Sequence, residues 1–270
     1  MIKINFRNAI NDETYVMKKR ISFTQLLLIA GLLFTVATAC DKTDELSGDF
    51  SSAGTFKDAD GNKYNTLKIG TQVWAVENLK TTKYNDGTAI PNVTDDNEWT
   101  GLRSLKKGAY CNYDNLESNA DIYGRLYNWY AVTSGKLAPE GWHIPTDDDW
   151  TILENYLIVN GYNYDGTRKE NRIAKSLCAK TKWELASRDG TPGASPEKNN
   201  RTGFTALPSG YRNEGGGNFN NLGEECEWWS STELDDLFGG WCRVLYYEAE
   251  DLKRFPSFKG QGNPVRLVRD

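Results

Sequence analysis

Gly141-Trp142-His143-Ile144-Pro145-Thr146-Asp147-Asp148-Asp149-Trp150 is the stretch from which the fold is read. Pro145 ends whatever precedes it, because its ring removes a donor and restricts the residue before it. Thr146 then takes the N-cap position. Asp147, Asp148 and Asp149 fill a first helical turn, where the positive end of the helix dipole favours anions. Trp150, Leu153 and Leu157 follow at i, i+3 and i+7, a stripe that faces a core. Three adjacent Asp side chains on a helix point about 100° apart, so the run reads as capping and not as a metal site.

On the N-terminal side the pattern changes to strands and turns. Phe56 to Tyr64 carries Asp60-Gly61 at its centre, a two-residue hairpin signal. Asp58-Ala59-Asp60-Gly61-Asn62 lacks the glycine and glutamate positions of a calcium loop, so it reads as a turn. Leu67 and Ile69 alternate with polar residues, Gly70-Thr71 turns the chain, and Gln72–Val76 continues as a strand. Residues 85–122 read as polar and loop-rich. Leu126, Trp129, Tyr130 and Thr133 fall at helical spacing, with Gly135 as the stop. A shorter helix over 170–180 uses Ile173, Ala174 and Leu177. From Gly203 onward, segments at 203–207, 226–231, 240–247 and 263–268 read as strands. The expectation is an α+β fold: a single domain of short, mostly antiparallel strands with two or three helices.

The first forty residues carry an address. Met17-Lys18-Lys19-Arg20 is a basic head, Leu26–Ala37 is an uncharged apolar run, and Ala37-Thr38-Ala39 leads into Cys40. This is the tripartite pattern of a secretory signal, and its apolar run is shorter than the roughly 20 residues that span a bilayer. Cysteine directly after small residues resembles a bacterial lipobox, which implies lipidation at Cys40. Ala37 stands where such signals usually have leucine. Asp12 and Glu13 sit where a positive head belongs, so Met17 is read as the true start. The expected organisation is a signal region over 1–39, a lipidated tether over 40–54 and one domain over 55–270. Removing residues 1–39 leaves 27 basic against 35 acidic residues, a net charge of −8. The reading is an acidic domain, partnered with a membrane through lipid, in the cell envelope as an outer-membrane lipoprotein exposed at the surface. Nucleic acid is excluded as a partner, because phosphate binding needs clustered Lys and Arg.

Four cysteines remain beyond Cys40: Cys111, Cys178, Cys226 and Cys242. An exported chain meets a disulfide-permissive compartment, and four cysteines allow three complete pairings. Cys226 and Cys242 are the favoured pair, since each lies in a strand-like segment and an Asp/Gly-rich loop joins them. No CxxC spacing occurs, which argues against a zinc or thioredoxin-type site. Gly215-Gly216-Gly217 lacks the lysine and the strand-to-helix context of a phosphate cradle, and no GxSxG is present. His143 is the single histidine; it has no nucleophile nearby in sequence and reads as structural. No cofactor, metal or catalytic residue is expected.

Several stretches together resemble the Fibrobacter succinogenes major paralogous domain family. They include Lys68–Trp74, Glu77–Gly87, Tyr123–Tyr130, Gly141–Thr146, Gly203–Arg212, Trp228–Glu233 and Val265–Asp270, in order over roughly 55–270. The resemblance implies an exported lipoprotein and, more distantly, a C-type-lectin-like fold shared with formylglycine-generating enzymes. The helix entry at Pro145–Trp150 and the terminal strand Val265–Asp270 carry that second likeness. Many family members have a cysteine before the proline near 139 and another in the last strand. Here those places hold Ala138 and Leu267, which implies that a family disulfide is absent.

Three functions follow as expectations. The first is a non-catalytic surface module that binds a glycan or another extracellular polymer through exposed aromatic rings. Neither Glu-Pro-Asn nor Gln-Pro-Asp occurs, Asn263-Pro264 being the nearest fragment, so calcium-dependent lectin-type recognition is not expected. The second is a structural or assembly component of the cell surface, with no small ligand. The third is an enzyme of the formylglycine-generating type, which uses a copper-binding cysteine pair. The expected ligand site is shallow and combines Trp228, Glu233, Asp235, Asp236, Tyr211 and Arg212, with Trp228 and Trp229 on opposite sides of their strand.

Overall fold

A computed structural model describes residues 50–235 and 239–270. The signal region, Met17, Cys40, most of the tether and Asp236 lie outside the described residues. Among the described residues there are five α-helices and eleven strands, paired mostly antiparallel in small sheets. This is the expected α+β class, with more helices than the sequence predicts.

The first sheet is built by β1 (Ser52–Lys57), β2 (Lys63–Ile69), β3 (Gln72–Ala75) and the last strand, β11 (Val268–Arg269), in the order β1-β2-β3-β11. β1 begins inside the stretch assigned to the tether. The β1–β2 turn is a five-residue loop over 58–62, not a two-residue one. Asp58 organises it: its carboxylate accepts from the backbone N–H groups of Asp60 and Asn62 and from the Tyr64 hydroxyl at 2.5 Å. Gly61 sits at φ +84°, a conformation open to glycine at little cost.

Two helices occupy the region read as loop: α1 (Asp96–Leu105) and α2 (Glu117–Tyr123). α1 buries Trp99 and Leu102. The predicted helix around Trp129 is cut short. Leu126–Tyr127 forms β5, paired with β4 (Tyr110–Cys111), and only Trp129–Val132 coils, as α3. Asn128 makes the break, its side chain accepting from the N–H groups of Ala131 and Ala109 at 3.1 Å. α4 (Asp147–Val159) has the predicted cap in full: Asp149 N–H donates to Thr146 Oγ1, and Thr146 N–H donates to the Asp149 carboxylate. Trp150, Leu153 and Leu157 are all buried. α5 (Ala174–Leu177) is the core of the short helix expected over 170–180.

In the C-terminal part, β6 (Ser209–Arg212) pairs with β7 (Phe219–Leu222). β8 (Glu225–Asp235), β9 (Gly239–Tyr246) and β10 (Lys253–Ser257) form a three-stranded sheet in the order β10-β9-β8. Segment 203–207 contributes a bridge at Ala206 in place of a strand.

The three-stranded sheet has a hydrophobic core on each face. Cys226, Trp228 and Leu245 enter the core with Trp74, Trp150 and Phe204. Trp229, Cys242 and Val244 enter the other, with Trp129, Tyr127 and Leu267. Trp228 and Trp229 therefore do point to opposite sides, and both sides are interior. The Trp129 ring lies over the backbone of Gly240, where a Cβ would come within 1.9 Å of it.

Candidate functional site

Of the six residues expected to form a binding site, two are core residues. Trp228 has 0% exposure, packs against Trp150 and Phe204, and donates from its indole N–H to Asn78 Oδ1 at 2.8 Å. Arg212 is equally buried, with its guanidinium between the rings of Trp99 and Phe219. It donates to the carbonyls of Val93, Thr94 and Gly217 and pairs with Asp96 at 2.8 Å, so it ties β6 to the entry of α1. Tyr211 is half-buried, and the carboxyls of Glu225 and Glu227 bear on its hydroxyl. Asp235 is exposed.

Cys226 and Cys242 are not a disulfide. Cys226 stands opposite Leu245 and Cys242 opposite Trp229, which puts a three-residue offset between them. An odd offset along a pleated strand sends two side chains to opposite faces. All four described cysteines are free and buried. Burial pushes the Cys226 thiol up to about 12 and Cys242 well above its ordinary range, which makes both poor nucleophiles.

Glu233 is the expected residue that does reach a hollow. It lies past the β8 bulge, half-exposed, and pairs with Lys259 at 2.6 Å. The hollow beside it measures about 500 Å³ and is walled by Trp129, Tyr130, Thr133 and Lys106. α3 supplies the aromatic wall: Trp129 turns inward, and Tyr130, one step round the helix, stays half-buried. The Tyr130 hydroxyl donates to the carbonyl of Arg103 at 3.0 Å, which holds the ring in place. No other ring or cation stacks on it among the described residues.

Thr133 and Ser231 are shared with a second hollow of about 450 Å³, whose rim includes Asn85, Glu140, Trp142 and His143. Trp142 is stacked on Phe56 at 4.1 Å, and the Arg269 guanidinium lies over its ring, so this indole offers mainly its edge. His143 is fixed by two backbone bonds to Val268 and by a 3.2 Å contact from Nε2 to Asp149 Oδ2. Burial raises the Asp149 carboxyl, but donors from Thr146 and His143 outweigh it and hold the group below its ordinary range. His143 thus belongs to the helix cap and also lines the hollow.

A wider hollow of about 880 Å³ lies along Arg172, Arg188, Tyr246 and Tyr247. Its arginines are already taken by Asp165, Glu170 and Glu250, and none of the expected site residues lines it.

The family model of the Fibrobacter succinogenes major domain matches residues 67–269. The chain belongs to this family. Neither a curated protein nor a solved structure matches it. Within the family domain, Tyr130, Lys259 and Trp142 are residues of the hollow that sequence reasoning missed. Tyr130 was readable only as one member of a helical stripe. Lys259 reaches Glu233 across 26 residues of chain, and no local pattern announces such a pair.

Proposed function

We propose that this is an exported, lipid-anchored surface protein whose domain binds a glycan or another polyhydroxylated extracellular polymer without transforming it. The reading extends the lectin-type likeness and places the ligand in the joined hollows beside Glu233. One observation carries it: the half-buried Tyr130 lines the same open hollow as the half-exposed Glu233 and its partner Lys259, and that hollow shares Thr133 and Ser231 with a second one. A pyranose ring offers one apolar face to an aromatic ring and hydroxyls to charged groups at its edge. Glu233 accepts from such hydroxyls, and Lys106 and Lys259 donate to them. Cys226 and Cys242 lie on opposite faces of their sheet, which favours this reading over a copper-dependent oxidase.

Affinity electrophoresis of the full-length chain through gels containing soluble polysaccharides tests the proposal. Retardation by at least one polymer is expected. Glu233→Ala and Tyr130→Ala should each weaken it about tenfold, the equivalent of ~1.4 kcal/mol. If no polymer in a broad panel retards the protein, a structural or assembly role at the cell surface replaces this reading.

A further inference from the structure

Among the described residues, Arg266 is a buried cation without a counter-ion. It lies just before β11, with 1% exposure, between the rings of Phe204 and Trp228. Its hydrogen bonds go to neutral acceptors only. Nε and Nη2 donate to Asn78 Oδ1, at 3.3 and 3.1 Å, and Nη1 donates to the Phe204 carbonyl. No carboxylate pairs with it among the described residues. The acidic groups that bear on it are the buried Cys226 thiol and then Glu77, whose carboxylate is already committed to the backbone and side-chain amides of Asn65 at 2.8 and 2.6 Å. A guanidinium carries five N–H donors. Three are used, which leaves one N–H on each terminal nitrogen.

Beside this group is a cavity of about 230 Å³, enclosed by residues 76–80, α2 and the Thr205–Leu207 segment, with Arg266 in its wall. The other charged side chains of the wall are Lys63, Lys80, Glu77 and Asp121. These four balance, so the cavity carries the single positive charge of Arg266. Burying an unpaired ion costs several kcal/mol, and the void that Arg266 lines is where a compensating charge would sit. We propose that this cavity binds a small monocarboxylate group, which takes the two spare N–H groups of Arg266 in a forked pair. A dianion such as sulfate or phosphate would overcompensate the charge and meet Glu77 and Asp121. Arginine forks suit the planar carboxylate. The cavity shares no lining residue with the Glu233 trough, so this site is independent of the polymer-binding proposal.

The probes are acetate, glucuronate and glycylglycine, added to the full-length chain in detergent at constant ionic strength. The readouts are the Arg266 side-chain resonance in a nitrogen-15 spectrum and the fluorescence of Trp228, on which Arg266 stacks. A saturable shift with acetate is expected. Tighter binding of glucuronate assigns an acidic sugar as the natural source of the carboxylate, and tighter binding of glycylglycine assigns a peptide C-terminus. Arg266→Met should abolish the shift, but it removes a core side chain and can unfold the domain. Lys80→Glu is the second variant. The bond from Arg125 to residue 80 uses the backbone carbonyl, so the fold is retained while the wall turns acidic, and binding should weaken about tenfold. The proposal is overturned if none of the three probes shifts the resonance, if sulfate shifts it as strongly as acetate, or if Lys80→Glu binds as the parent does.

Discussion

Glu225 and Glu227 leave β8 two residues apart on the same face, both buried, and neither pairs with a basic side chain among the described residues. Glu227 is satisfied by neutral donors, Gln261 and Asn263, at 2.9 and 3.0 Å. Glu225 is pushed up to about 7, first by burial and then by the charge of Glu227, with Asn221 and Tyr246 opposing only in part. The sign of its effect on stability follows. The unfolded chain releases the Glu225 proton near its ordinary value of 4.5, whereas the folded chain keeps it to about pH 7. Between these limits the folded state binds more protons, so stability falls as pH rises, by up to roughly 3 kcal/mol. Urea midpoints should decline across that window in the parent and stay flatter in Glu225→Gln. A parent midpoint that rises through the window would sink this account. The neighbouring Trp228 makes a second prediction. Its ring is core, so Trp228→Ala should lower stability by about 3–5 kcal/mol. The exposed Glu233→Ala should change it by less than about 0.5 kcal/mol in thermal melts. Alternation placed Trp228 and Trp229 on opposite sides correctly. It could not reveal that both sides are covered, because burial of a sheet's second face depends on residues as far away as Trp129 and Leu267.

At the scale of elements, α4 shows what local chemistry makes readable. Its cap joins Thr146 to Asp149, three residues apart, so the sequence contains the whole interaction. Thr146→Ala should cost about 1–2 kcal/mol in chemical denaturation, near the upper end for a cap because the hydroxyl also serves the buried Asp149. An unchanged midpoint would remove the cap from the account of this helix. The same kind of signal opens α1: Asp95 accepts from Glu98 N–H at 2.9 Å, followed by the buried Trp99 and Leu102. The high polarity of residues 85–122 hid it, since only two of its side chains face the core. β9 was readable as a strand from its β-branched and aromatic residues, but the reason it begins with Gly239-Gly240 was not. Gly240 makes room for Trp129, contributed from more than a hundred residues earlier. Gly240→Ala forces the Trp129 ring to move and should destabilise by about 3 kcal/mol or more, the high end for overpacking. Loss of the near-ultraviolet circular dichroism of the packed indoles would report it.

For the whole molecule, the order of segments along the chain determines what the sequence discloses. The first sheet joins residues 52–75 to the last strand at 268–269, so the domain closes only when its C-terminus returns to β3. Class and membership were legible because helix caps, turns and family motifs are local. The proposed trough was not, since it is assembled from α3, the end of β8 and Lys259, which are far apart in the sequence and meet only in the folded domain. The proposed address is the opposite case, because its pattern is contiguous in the sequence and is legible without tertiary structure. A basic head, an apolar run of about 12 residues and small residues before a cysteine are the pattern on which the proposed signal and lipid attachment rest. Lipid attachment at Cys40 would add acyl chains contributing about 0.8 kcal/mol per buried CH₂, and two or more chains hold a protein at a bilayer durably. No helix of the described residues is long and apolar enough to cross a membrane, and the proposed attachment is made at the Cys40 thiol. Cys40→Ser should therefore shift the protein from the detergent phase to the aqueous phase, or leave it as an unprocessed precursor of higher mass, while the domain's thermal midpoint stays the same. A variant that still partitions with detergent at the processed mass would show that something other than Cys40 holds the protein to the membrane.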